Sequence, residues 1–278
     1  MKFFSTRNPA IFLAAASLIF AAGSIVQAAP GQQAPAPAAQ PGAPSGGQDK
    51  AAPAQPPKLN PKEEADYKAF TAVAPSDASK KIQLGQQFLQ NYPGTRYEEA
   101  VENQLVDAYY TTQDWNSFYA VSGRVIEKDP DDVDALTVVG WVIPHLYNAD
   151  DPDKDKKLSK AEGYEKHAIE LLANIQKPAN LTDQQFAEAR SQKLIEAHSG
   201  LGLVYFRQQD FDNATKELQL ATNDNPMPDA TDLYVLGVSL QQSNRNPEAA
   251  TAFGKCAQIP GVLQDRCKQS AATAKSAK

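Results

Sequence analysis

The segment Asp151–Glu162, DPDKDKKLSKAE, carries oxygen-bearing side chains at the first, third, fifth, ninth and twelfth places of a twelve-residue stretch. An EF-hand loop sets its calcium ligands at these places and takes the seventh from a main-chain carbonyl. Asp151, Asp153, Asp155, Ser159 and Glu162 are therefore candidate ligands for a weak calcium site, which would make the protein calcium-responsive. The sixth place opposes this reading. It turns sharply and suits glycine, whereas Lys156 brings strain and a positive charge beside the ion. The second reading makes Ser159-x-x-Glu162 a capping box that opens a helix, with the aspartates as loop carboxylates interleaved with Lys154, Lys156 and Lys157. Glu162 cannot easily serve both, and the balance favours an acidic turn with no metal.

Other residues capable of chemistry are few. His145, His167 and His198 fall in different predicted helices, and none has a second ligand at the spacing of a zinc motif. There is no nucleophile elbow, phosphate loop, H-E-x-x-H or dinucleotide fingerprint. A non-catalytic protein without a cofactor is expected. A subunit of an envelope enzyme complex would have to use scattered residues that spacing does not reveal. The sequons at Asn180 and Asn213 carry no functional weight, since Asn213 stands at a helix start.

Residues 1–28 carry Lys2 and Arg7 ahead of an apolar run from Ala10 to Val26, closed by Val26-Gln27-Ala28. This is the pattern of a secretory signal peptide cut after Ala28. An uncleaved anchor is the alternative, because the run is near the roughly 17-residue lower limit for a spanning helix. With the signal removed, no transmembrane helix is expected, and the formal net charge falls from −6 to −8 as Lys2 and Arg7 leave. Nucleic acid is then an improbable partner. Residues 29–58 are rich in Ala, Pro, Gln and Gly and read as a disordered tether, leaving 59–278 as the folded part. In an exported chain the two cysteines, Cys256 and Cys267, are expected to form a disulfide that pins a closing helix to what precedes it.

The elements that position these residues follow from a repeat. Leu201, Gly202, Tyr205, Ala214, Leu218 and Pro226 are matched by Leu236, Gly237, Leu240, Ala249, Phe253 and Pro260, with 35 residues between Gly202 and Gly237. Leu105, Val106, Tyr109, Phe118, Ser122 and Pro130 keep the same intervals. A third unit has Leu136, Val139, Gly140 and Ile143 in register, then about nine extra residues before AEGYEKHAIELL, and DPDKDKKLSKAE lies in that insertion. Small residues let two helices approach, large ones fill the gap, and proline ends the second helix. The spacing predicts an all-α solenoid of five antiparallel pairs, 61–74 with 77–91, 95–111 with 114–128, 132–147 with 158–175, 183–208 with 211–225, and 229–243 with 246–258, capped by a helix from Val262.

These intervals resemble the tetratricopeptide repeat family, closely over 195–261 and more loosely over 76–175. Phe88–Ala100, FLQNYPGTRYEEA, is similar to helix starts in repeat proteins of the bacterial envelope. The resemblance implies a scaffold or adaptor that holds a protein or peptide in a concave groove lined by the first helices, located in the periplasm or envelope of a Gram-negative-type bacterium. Carried onto this sequence, the groove positions are Asn103, Asp107 and Tyr110; Trp141 and His145; Ser199, Leu203, Phe206 and Arg207; and Tyr234, Val238 and Gln241. This is an aromatic set with few charges. The Lys, Asn and Arg clamp that family chaperone adaptors use for a terminal carboxylate is missing. Pro144 is expected to kink the first helix of the third pair and shift Trp141 and His145. The oligomeric state is left open.

Overall fold

A computed structural model describes residues 60–223 and 225–277. The signal peptide and tether expected over 1–58 lie outside the described residues. Within them the chain forms eleven helices: α1 (Pro61–Thr71), α2 (Ala78–Asn91), α3 (Glu98–Thr112), α4 (Trp115–Lys128), α5 (Val133–His145), α6 (Lys154–Asn174), α7 (Asp183–Arg207), α8 (Phe211–Thr222), α9 (Ala230–Gln242), α10 (Asn246–Cys256) and α11 (Gln264–Ser276). Consecutive helices pack as five pairs, α1/α2 to α9/α10, and α11 lies against α10. The predicted α-solenoid with a closing helix is the observed architecture.

Polar side chains start most of these helices. Asn60, Asp77, Asp114, Asp132, Thr182, Asp210 and Asp229 each accept a hydrogen bond from a main-chain N–H of the first turn. Such bonds satisfy donors that have no intrahelical partner. Three pairs also share one turn. Gln113, Gln209 and Asn244 adopt positive φ. The next residue in each case donates its N–H back to the first helix: Asp114 to Tyr109 O at 3.0 Å, Asp210 to Tyr205 O at 2.9 Å and Arg245 to Leu240 O at 2.8 Å. Tyr109, Tyr205 and Leu240 are the residues that the sequence register equates, so the repeat is a repeat of backbone geometry.

Packing inside a pair follows from the same register. A Cβ on Gly202 would stand 2.6 Å from Leu218 Cγ, and one on Gly237 would stand 2.5 Å from Phe253 Cε1. The missing side chain admits the large one from the second helix, which buries Leu218 and Phe253 completely. The apolar core comes in two stretches. One runs from Phe70 to Ala161 and takes in Val204; the other runs from Leu203 to Ala274, so α7 contributes to both.

The third pair departs from the expectation. Its second helix starts at Lys154 with Asp153 as cap, not at Ser159. The Ser159/Glu162 capping box is therefore not formed. Asp151 Oδ1 accepts from the Asp153 N–H at 2.8 Å and turns the chain early, and Asp155 then falls in the first helical turn, where a negative charge suits the helix dipole. Pro144 stands one residue before the end of α5, so its missing N–H costs a bond at the terminus.

Candidate functional site

The projected groove residues lie on four successive first helices, α3, α5, α7 and α9. Contacts link them across the stack. The Tyr110 ring meets Trp141 edge-on with centroids 6.3 Å apart. Trp141 Nε1 donates to Ser199 Oγ at 3.2 Å, and the Ser199 hydroxyl donates to Asp232 Oδ1 at 2.9 Å. One run of contacts thus joins α3 to α9. Around it, His145 stacks on Trp141 with centroids 3.5 Å apart and donates from Nδ1 to the Trp141 carbonyl at 2.7 Å. Arg207 Nε donates to Pro144 O at 3.1 Å, with its guanidinium 5.1 Å from the centre of the Tyr147 ring. Asn103 Nδ2 donates to Asp132 Oδ2 at 3.1 Å.

Burial sets the electrostatics. It pushes His145 down to about 4, with the bond to Trp141 and the charge of Asp229 opposing, so the imidazole is neutral at neutral pH. It raises the Asp232 carboxyl well above the usual range, and Asp229 pushes the same way while the Ser199 hydroxyl opposes.

Nine of the twelve projected residues are half-buried: Asn103, Asp107, Tyr110, Trp141, His145, Phe206, Arg207, Val238 and Gln241. The other three are corrections. Ser199, Leu203 and Tyr234 are only 4 %, 3 % and 6 % exposed. Tyr234 packs on Phe253 with centroids 5.5 Å apart and lies under the guanidinium of Arg266 at 5.1 Å, because α11 closes over this end of the stack. Ser199 is taken up by Trp141 and Asp232, and Leu203 belongs to the second core stretch.

The calcium loop is not formed. Asp155, Ser159 and Glu162 lie within α6. Asp151 is bound to Lys157 Nζ at 2.5 Å, which holds its carboxyl below the usual range together with the Asp153 N–H. Glu162 accepts from Lys166 Nζ at 2.6 Å and Gln208 Nε2 at 3.0 Å. Among the described residues no group of three or more His, Cys, Asp or Glu could hold a metal ion. His167 and His198 instead meet Asp131 and Glu217, each at 2.7 Å. Cys256 and Cys267 are bonded, with Cα atoms 5.8 Å apart, and tie α11 to α10.

The architecture is an all-helical repeat of stacked antiparallel pairs. No protein-family model matches the chain, and no match was found among curated proteins. Among solved structures, a thermophilic TPR protein of Thermus thermophilus is 16 % identical with a TM-score of 0.49, covering 77 % of this chain and 98 % of its own. The assembly chaperone of RpL4, Acl4, is 13 % identical with a TM-score of 0.45, covering 78 % of this chain and 96 % of the other.

One residue beneath Trp141 and Ser199 was not among the residues the sequence singled out. Glu165 is fully buried between α5 and α7, and neither carboxyl oxygen has a hydrogen-bond partner. The signal was present, since the buried stripe of α6 reads Leu158, Ala161, Glu165, Ala168, Leu172, with one carboxyl at core spacing.

Proposed function

We propose that the protein is an exported, non-catalytic scaffold that binds a peptide or protein segment along the first helices, in the periplasm or cell envelope. The observation that carries this reading is the run of contacts Tyr110–Trp141–Ser199–Asp232, which links four successive first helices, with Ser199 and Asp232 buried beneath the half-buried rings of Tyr110 and Trp141. Half-buried aromatic side chains on these helices, Tyr110, Trp141 and Phe206, are the kind that supply binding energy once a partner desolvates them. Export is supported by the charged and apolar pattern of residues 1–28 and by a cysteine pair placed to bridge.

The test is capture from a cell-envelope extract with the full chain as bait, followed by affinity measurement on the recovered partner. Tyr110→Ala combined with Phe206→Ala is expected to weaken binding by at least ~2 kcal/mol while the helical circular dichroism stays intact. Unchanged affinity in the folded double variant would place the binding site elsewhere.

A further inference from the structure

Glu165 holds the place of a core side chain. Leu218 and Phe253 each stand 16 residues after the glycine they fill, Gly202 and Gly237. Glu165 stands 25 residues after Gly140, and the difference is the nine-residue insertion. A Cβ on Gly140 would lie 2.5 Å from Glu165 Oε1, and a Cβ on Gly200 would meet the same oxygen in hard overlap. That Gly200 position is also 3.2 Å from Trp141 Cα. The carboxyl is therefore wedged where α5 and α7 cross, and the residues next to its two glycines, Trp141 and Ser199, form the central contact of the groove.

The surroundings offer an ionised Glu165 no hydrogen-bond donor and a single cation. The charged groups facing it are Glu196 and Lys193 from α7. Lys193 Nζ already lies 2.8 Å from both Glu196 and Asp134, the latter on α5. The one cation facing Glu165 is thus already paired with two other carboxyls. A buried carboxylate without a donor, its one cation already paired elsewhere, is strongly disfavoured, and water reaches this one only if α6 withdraws or α5 and α7 part.

We infer that Glu165 is a proton-operated wedge: when neutral it lets α5 and α7 close at Gly140 and Gly200, and when ionised it opens that crossing and displaces Trp141 and Ser199. Burial, with Glu196 in support and Lys193 opposed, lifts the carboxyl well above its ordinary range and so delays the opening as pH rises. The effect on partner affinity rests on the groove reading above; the movement of Trp141 does not.

The experiment is fluorine NMR of the full chain labelled with 5-fluorotryptophan, titrated from about pH 5 to about pH 9, a window above the ordinary carboxylate range. The chain has two tryptophans, and Trp115→Phe assigns their signals. The Trp141 signal is expected to shift with pH while that of Trp115 stays, and the shift is expected to be lost in Glu165→Gln. Should Glu165→Gln fail to fold, Glu165→Leu, which mimics Leu218, takes its place. The groups around Trp141 are His145, Asp229, Arg207 and, through Ser199, Asp232. His145, at about 4, titrates below the window, and the comparison is made in an Asp232→Asn background so that the buried Asp232 carboxyl adds no transition of its own. A Trp141 transition retained in either variant, or a flat Trp141 signal up to global unfolding, overturns the wedge. No partner is used, so a groove reading that failed at Tyr110 and Phe206 would leave this result standing.

Discussion

At the scale of the residue, a carboxyl in a leucine's place costs stability, and the cost depends on pH in a definite direction. The Glu165 pKa is raised in the folded state. Its contribution is therefore fully present below the ordinary glutamate value of about 4.3 and is lost as pH rises through the folded value, each tenfold change in proton affinity being worth about 1.4 kcal/mol. Asp232 is raised for the same reason and acts in the same direction. His145, pushed down to about 4, acts in reverse and loses its contribution as pH falls below about 6.5. Comparison with a variant isolates the first effect. Glu165→Leu is expected to stabilise the protein at neutral pH by about 1–4 kcal/mol, as when a buried charged group gives way to an apolar one of similar size. Urea unfolding of both chains should show that advantage growing between about pH 5 and about pH 8. A difference independent of pH would mean that Glu165 does not titrate in that window.

At the scale of the element, α11 and α6 make separate predictions. The apolar contacts of α11 involve small residues, Ala271 and Ala274, so the bond from Cys267 to Cys256 is a large share of its attachment. Reduction, or Cys256→Ala, is expected to cost about 3 kcal/mol and to free α11 first, as faster hydrogen exchange over Gln264–Ser276. Mass spectrometry of unreduced peptides should find the bridged pair in protein recovered from cells. For α6, the helix that runs through Asp155, Ser159 and Glu162 takes those oxygens out of a ligand ring. Calcium at about 1 mM is expected to leave the melting temperature unchanged. A rise that disappears in Asp151→Ala would show that the segment refolds around the ion.

At the scale of the whole molecule, a solenoid is held by contacts between neighbouring repeats, so its two core stretches need not melt as one. Both tryptophans, Trp115 and Trp141, report on the first stretch. Gly237→Ala forces a methyl group against the Phe253 ring in the second and is expected to cost about 1–3 kcal/mol. Unfolding followed by circular dichroism should then shift more than unfolding followed by tryptophan emission. Coincident shifts would show that α7 couples the two stretches into one cooperative unit.

The sequence by itself determined the helices and their pairing. Small and large residues at fixed intervals dictate which helix faces approach, as Gly202 with Leu218 and Gly237 with Phe253 display, and these are local relations within one hairpin. It also set which residues recur at matching places on successive first helices, because the same repeat positions face one side of each. The fate of individual side chains was decided only by the tertiary structure. Tyr234 is covered by Arg266 from a helix outside its own repeat, Ser199 is bound by Trp141 and Asp232 from two other pairs, and Glu165 is closed in by glycines of both α5 and α7. Burial and hydrogen bonding depend on what arrives from elsewhere in the chain, and the spacing within a repeat carries no record of it.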